Sequence, residues 1–189
     1  MPNEPLEPNG SLFCLTCGLC CNGVLHAHAV IKSKDIEPAH ALGLTVEAFG
    51  DNLGFRQPCP LYQKQRCSAY PNRPPTCKAY QCALLKKYLA GEITCELGMQ
   101  TIQRAEELFA TVLEQLPPGY SFAQLRKEIE QGWDSGRGLF GSPELRQANA
   151  VFLLALAKLI RYLHRHFEKP KETKMNRDGR ERFEEKAET

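Results

Sequence analysis

The stretch Cys14-Leu-Thr-Cys17-Gly-Leu-Cys20-Cys21 places four sulfurs within eight residues. A metal ion needs several ligands converging on one point, and Cys-x-x-Cys spacing on a short loop supplies them at little entropic cost. Cys14, Cys17 and Cys20 stand at successive intervals of this kind, with Gly18 relaxing the backbone between them. Three such sulfurs can grip one metal and leave the fourth position to a distant residue. The run also matches the opening of a ferredoxin-type loop, in which a remote Cys-Pro pair completes a cubane cluster; Cys59-Pro60 is such a pair. Cys21 does not fit a one-metal picture. Adjacent side chains of an extended chain diverge, so Cys20 and Cys21 are expected to feed two neighbouring sites, or one of them to be buried. Eight cysteines precede residue 91, enough for one four-sulfur centre or for two, and the spacing leaves both open.

The nine cysteines are Cys14, Cys17, Cys20, Cys21, Cys59, Cys67, Cys77, Cys82 and Cys95. A disulfide framework calls for an export signal and an even count. The opening MPNEPLEPNG is polar and proline-rich, without the basic start and apolar core of a signal peptide, so a cytoplasmic protein is expected. In a reducing compartment clustered Cys-x-x-Cys units hold metal or do redox work. Composition agrees with a soluble globular chain: 189 residues, 42% hydrophobic and 24% charged. Its formal charge of +2 does not call for a polyanionic partner. The apolar run Val151–Ala157 is far shorter than the roughly 20 residues of a membrane span.

The second cysteine arm is CPLYQKQRCSAYPNRPPTCKAYQC, residues 59–82, with seven, nine and four residues between its sulfurs. This is too loose for a zinc-finger knuckle. On a continuous helix, Cys77 and Cys82 would diverge by about 140°, so both can meet one metal only if Cys77 precedes the helix. Between Asp51 and Glu92 stand seven basic residues (Arg56, Lys64, Arg66, Arg73, Lys78, Lys86, Lys87) and no acidic one. Such cations are expected to lower thiol pKa values and to balance an anionic tetrathiolate. The rival reading is a nucleic-acid patch with Tyr62, Tyr70, Tyr80 and Tyr88 as stacking platforms. These tyrosines follow no RNA-module pattern, and packing around a small core is the simpler expectation.

Patterning predicts a mainly α protein, a small cysteine-rich, metal-stabilised N-terminal module packed on a C-terminal helical segment. Residues 1–10 read as a loose tail, 11–91 as the cysteine-cluster domain and 92–167 as a helical extension. Residues 168–189, with seven basic and seven acidic side chains, read as a disordered tail or frayed helix. Helices are predicted over Ser33–Leu42, from Thr45 through Phe49, and from near Cys77 to Leu89 with Gly91 closing. Leu97, Ile102, Ala105, Leu108, Phe109, Val112, Leu113 and Leu116 mark one helix face that Pro117-Pro118-Gly119 stops. Ser121 to Gln124 has capping-box spacing and opens a helix through Ile129. A glycine-rich loop from Gly132 carries the single tryptophan, Trp133. Ser142-Pro143-Glu144 starts a further helix whose stripe runs Leu145, Ala148, Phe152, Ala155, Leu156, Leu159, Ile160, Leu163, Phe167. These apolar positions are packing residues.

Phe13-Cys14-x-x-Cys17-x-x-Cys20-Cys21, followed by Cys67-x-x-Tyr70-x-x-Arg73-Pro74-x-x-Cys77, resembles the CxxCxxCC family of zinc- or iron-chelating, YkgJ-type cysteine cluster proteins. Asp35 and the segment Leu42–Phe49 fit the family's intervening stretch. The resemblance covers about residues 11–82. It implies that Cys14, Cys17, Cys20, Cys21, Cys59, Cys67 and Cys77 are metal-site residues, with Cys82 as the eighth, around zinc or an iron–sulfur cluster in one or two centres. Lys78 departs from the family, which has arginine there; lysine does not reproduce a bidentate guanidinium contact. Cys95 lies outside the resemblance and reads as a small packing residue.

Three functions are compatible with such a site: a zinc-stabilised binding module, an iron–sulfur oxidoreductase, or a lysine methylase like the flagellin methylases in which related cluster domains occur. Whether the chain is an enzyme stays open. The metal is the expected partner, a protein partner or substrate is compatible, and neither nucleic acid nor membrane is expected. His26 and His28 follow the cysteines and read as structural, since the sulfurs already suffice. His164 and His166 suit the end of a helix. Arg73, between two candidate ligands, either donates to metal-bound sulfur or holds a turn. No Ser-His-Asp arrangement, paired carboxylate site, phosphate loop or internal repeat stands out.

Overall fold

A computed structural model describes residues 11–130, 138, 141–168, 174–175 and 181–182. Among them the chain is mainly α, with eight helices and three small antiparallel sheets. The helical framework follows the apolar stripes. Helix α5 (Cys95–Glu114) begins where Thr94 Oγ1 accepts a hydrogen bond from the Leu97 amide at 3.2 Å. It packs along α8 (Ala150–His166). Ile102, Ala105 and Val112 meet Phe152, Leu156, Leu159 and Leu163 in the main core, joined by Leu125 of α6 (Phe122–Glu130). The capping box at α6 is formed. Ser121 Oγ accepts from the Gln124 amide at 3.2 Å, and Gln124 Oε1 accepts from the Ser121 amide at 2.8 Å. Phe13 of α1 (Ser11–Cys17), Leu19, Val24 and Leu25 enter the same core, as do Leu84 and Leu85 of α4 (Ala83–Leu89).

Four stripe positions do not pack. Leu97, Leu113 and Leu145 are 49%, 44% and 45% exposed, and Ala148 is exposed too. Leu97 and Leu113 occupy the first and last turns of α5, at the ends of its packed length. Leu145 and Ala148 belong to a separate short helix, α7 (Pro143–Ala148), started by Ser142 Oγ accepting from the Leu145 amide. Asn149 ends it. Its backbone leaves the helical region (φ −107°, ψ 19°), and its side-chain amide donates to the Leu145 carbonyl at 2.8 Å. The stripe therefore belongs to two helices, and only the second carries it into the core.

The cysteine-rich part holds the sheet β1 (His28–Ile31), β2 (Glu47–Phe49) and β3 (Asn52–Arg56), ordered β1-β3-β2. Beneath it lies a second apolar cluster of Ile31, Ala39, Leu44, Phe55 and Cys59. A 3-10 turn at Ser33–Asp35 leads into α2 (Ile36–Ala41), in agreement with the predicted helix. The predicted turn from Thr45 to Phe49 is instead strand β2. Gly50 at φ +58° opens a two-residue hairpin that pairs Phe49 with Asn52, and pairing with β3 overrides the local cap signal. The predicted helix from Cys77 to Leu89 is broken. It consists of α3 (Pro75–Ala79) and α4, separated by Tyr80 in extended conformation (φ −68°, ψ 130°).

Trp133 and the N-terminal tail lie outside the described residues. So does most of the charged tail, where β6 (Lys174–Met175) pairs with β7 (Glu181–Arg182). No helix among the described residues is long and apolar enough to cross a membrane.

Candidate metal centre

Cys14, Cys17, Cys20, Cys21, Cys59, Cys67, Cys77 and Cys82 all line one cavity of about 350 Å³. Their routes into it differ. Cys14 and Cys17 lie three residues apart on α1, hence on one helical face, not on the loop expected from their spacing. Gly18 then turns the chain at φ +59°, buried Leu19 anchors it, and Cys20 and Cys21 follow within the turn. The Cys21 carbonyl accepts a hydrogen bond from the Cys59 amide at 2.8 Å, tying the two cysteine arms together. From Cys59 the chain enters the hairpin β4 (Tyr62–Gln63) and β5 (Arg66–Cys67), which sets Tyr62 opposite Cys67. Cys77 lies inside α3, and Cys82 caps α4, its Sγ accepting from the Leu85 amide at 3.5 Å. Because the helix breaks between them, the 140° divergence expected of Cys77 and Cys82 does not apply. Cys95 is absent from the cavity lining and packs on the main core at the start of α5, in keeping with its reading as a packing residue.

Residues 13–96 match the CxxCxxCC family, whose description reads "Putative zinc- or iron-chelating domain". This segment is similar to that domain. The match extends past the resemblance over 11–82 and takes in Cys95, ending within the first turn of α5. Comparisons with curated proteins and with solved structures gave no match.

The donor set of this segment fits the metals in that description. Soft thiolates select zinc and iron–sulfur clusters, and every cysteine here is a free thiol. Among the described residues no three His, Cys, Asp or Glu side chains are already gathered closely enough to hold an ion. Closing a site on a metal therefore requires the thiols to move closer together.

Burial governs the electrostatics, contrary to the expectation from the basic run. Desolvation pushes Cys21 up to about 12 and Cys77 up to about 11, and raises Cys14, Cys17, Cys20, Cys59 and Cys82 as well. Of the seven basic residues only Arg73 lines the cavity; the other six are exposed. Arg73 favours the thiolates of Cys14 and Cys77, more weakly than burial opposes them. Its guanidinium is engaged in a turn. Nη1 donates to the Tyr70 carbonyl at 2.8 Å, Nε donates to the Cys77 carbonyl at 3.5 Å, and Cζ lies 3.8 Å from the Tyr70 ring centroid.

Tyr62, Tyr70 and Tyr80 line the cavity, Tyr80 remaining 40% exposed, while Tyr88 packs on Phe13 with ring centroids 4.5 Å apart. His28 opens β1 and stacks on Phe49 at 4.1 Å; His26 precedes the strand and meets Tyr80 edge-on at 4.8 Å. Burial, with Arg126 and His28 nearby, lowers His26 to about 4, so its ring is neutral at pH 7. His26 Nε2 and Gln57 Oε1, both on cavity-lining residues, are buried without a hydrogen-bond partner. Gln57 carried no signal in the sequence. Neither did Glu106 on α5, whose charge bears on Cys17 and Tyr62.

Gly18 is the residue that shapes this corner. A Cβ at this position would run into the Tyr62 ring and hydroxyl, and φ +59° is costly for any L side chain. Gly18→Ala is expected to destabilise the protein by more than about 1 kcal/mol and to lower its metal content, checked by urea denaturation and elemental analysis of the same preparation.

Proposed function

We propose that this protein chelates zinc or an iron–sulfur cluster through the thiolates of Cys14, Cys17, Cys20, Cys21, Cys59, Cys67, Cys77 and Cys82. The observation that carries this reading is the convergence of eight free thiols, from two distant arms, on a single cavity. In the same reading residues 11–91 are the metal-binding domain, stabilised by its metal, and 92–167 are a helical buttress flanked by tails at 1–10 and 168–189. Zinc would supply a closed structural cross-link there, and an iron–sulfur cluster would supply one-electron chemistry. The chain's own part is to bring the thiols to one cavity and to keep Arg73 beside them.

The test is purification without oxygen, followed by assay of metal and acid-labile sulfide. Stoichiometric zinc, or iron with matching sulfide, is the expected result. Colourless zinc protein without sulfide would remove the cluster, and a brown sulfide-containing protein would remove zinc. Protein with neither metal would overturn the chelation reading.

A further inference from the structure

Resting on that reading, we infer that the eight cysteines make two separate four-thiolate centres, one of Cys14, Cys17, Cys20 and Cys82, the other of Cys21, Cys59, Cys67 and Cys77. Packing divides them in this way. Cys17, Cys20 and Cys82 lie against the main helical core, whereas Cys21, Cys59 and Cys77 lie against the small cluster beneath the three-stranded sheet. The division falls between Cys20 and Cys21, neighbours in sequence that face different cores.

Backbone pairing ties the second set together. In the second set, the Cys59 amide donates to the Cys21 carbonyl, the Tyr62 amide donates to the Cys59 carbonyl, and Tyr62 stands opposite Cys67. Helix α3, which carries Cys77, packs on β1, whose Ile31 belongs to the small cluster. In the first set, Cys14 and Cys17 share a face of α1, which packs mainly on α5 and touches β5, the strand of Cys67, at the seam. Cys82 caps α4, whose Leu84 and Leu85 sit in the main core with Leu19, and the next amide, Ala83, donates to the Phe167 carbonyl at 2.9 Å.

Eight thiolates on one ion would exceed the tetrahedral number, while four on each of two ions or clusters meets it.

The experiment compares metal content, by elemental analysis after anaerobic purification, in the wild type and in Cys17→Ser, Cys77→Ser and two double variants. Each single variant is expected to retain about half the wild-type metal. The double variant within one set, Cys17→Ser/Cys82→Ser, should retain the same half, and Cys17→Ser/Cys77→Ser, across the sets, almost none. A single variant that empties the protein, or a within-set pair that loses as much as the cross-set pair, overturns the two-centre assignment. Because a variant can fail to fold, metal-free wild-type protein is also titrated with Co²⁺ and followed by thiolate-to-metal charge-transfer absorbance. Saturation at about two equivalents supports two centres; saturation at one overturns them and leaves chelation standing. No Co²⁺ binding, together with no metal in the purified protein, overturns chelation itself.

Discussion

Zinc affinity is expected to climb steeply with pH and to keep climbing above pH 9, where ordinary thiols would level off. A thiol must lose its proton to ligate, so every protonated ligand adds about one order of magnitude of affinity per pH unit. An unperturbed cysteine, with pKa about 8.5, stops contributing once pH passes that value. Here burial holds Cys77 at about 11 and Cys21 at about 12, so their contributions persist through pH 10. Between pH 6.5 and 7.5 a four-thiolate centre should gain roughly three to four orders of magnitude. Competition against a chromophoric chelator at a series of pH values measures the slope. A slope that falls to zero above pH 8.5 would show that the buried thiols are not ligands. The metal-free protein has its own pH dependence, of opposite sense. The folded-state pKa values lie above the ordinary thiol value, so these thiols contribute stability that is fully present below that ordinary value. That stability is lost as pH rises through about 11 and 12. The melting temperature of metal-free protein should therefore fall from pH 9 upward.

The same thiols show where reading the sequence succeeded and where it stopped. The regular spacing of Ile102, Ala105 and Val112 made α5 legible, because a helix packed on one side repeats its apolar residues every three or four positions. Side-chain caps at Ser121 and Ser142 were legible for a similar reason: their hydrogen bonds close within three residues. Strand β2 was not, since its pairing partner Asn52–Gly54 decides its conformation and Thr45 announces only a local cap. The break at Tyr80 was hidden as well. Nothing local stops a helix at Ala79, whereas Tyr80 is held by its edge contact with His26 across the cavity. Charge misled more seriously. Counting seven cations between Asp51 and Glu92 predicts acidified thiols, yet a count along the chain does not show that six of the seven face solvent. Spacing gathered the candidate cysteines but did not divide them, because the two cores against which they pack exist only once the chain is folded.

Phe13→Ala is expected to lower folding stability by about 3–5 kcal/mol, a large part of the 5–15 kcal/mol typical of a whole domain. The Phe13 ring is 3% exposed and stands next to Cys14 on α1. It packs against Tyr88 of α4 and fills the space left by the missing side chain of Gly98 on α5. One ring thus joins the helix bearing Cys14 and Cys17 to the helix that Cys82 caps and to the main helical framework. Its loss should loosen metal as well as fold, seen as faster transfer of metal to a chelator. Gly98 supplies the control. A Cβ there would run into the Phe13 ring, so Gly98→Ala sets the helix-propensity gain of about 1 kcal/mol against overpacking of about 1–3 kcal/mol. Once the ring is gone the clash is gone, and Gly98→Ala should stabilise the Phe13→Ala protein while being neutral or harmful in the wild type. Urea midpoints of the four proteins in this double-mutant cycle measure the coupling. An equal effect of Gly98→Ala in both backgrounds would mean that the ring does not occupy that space, and that α1 is held to α5 by other contacts.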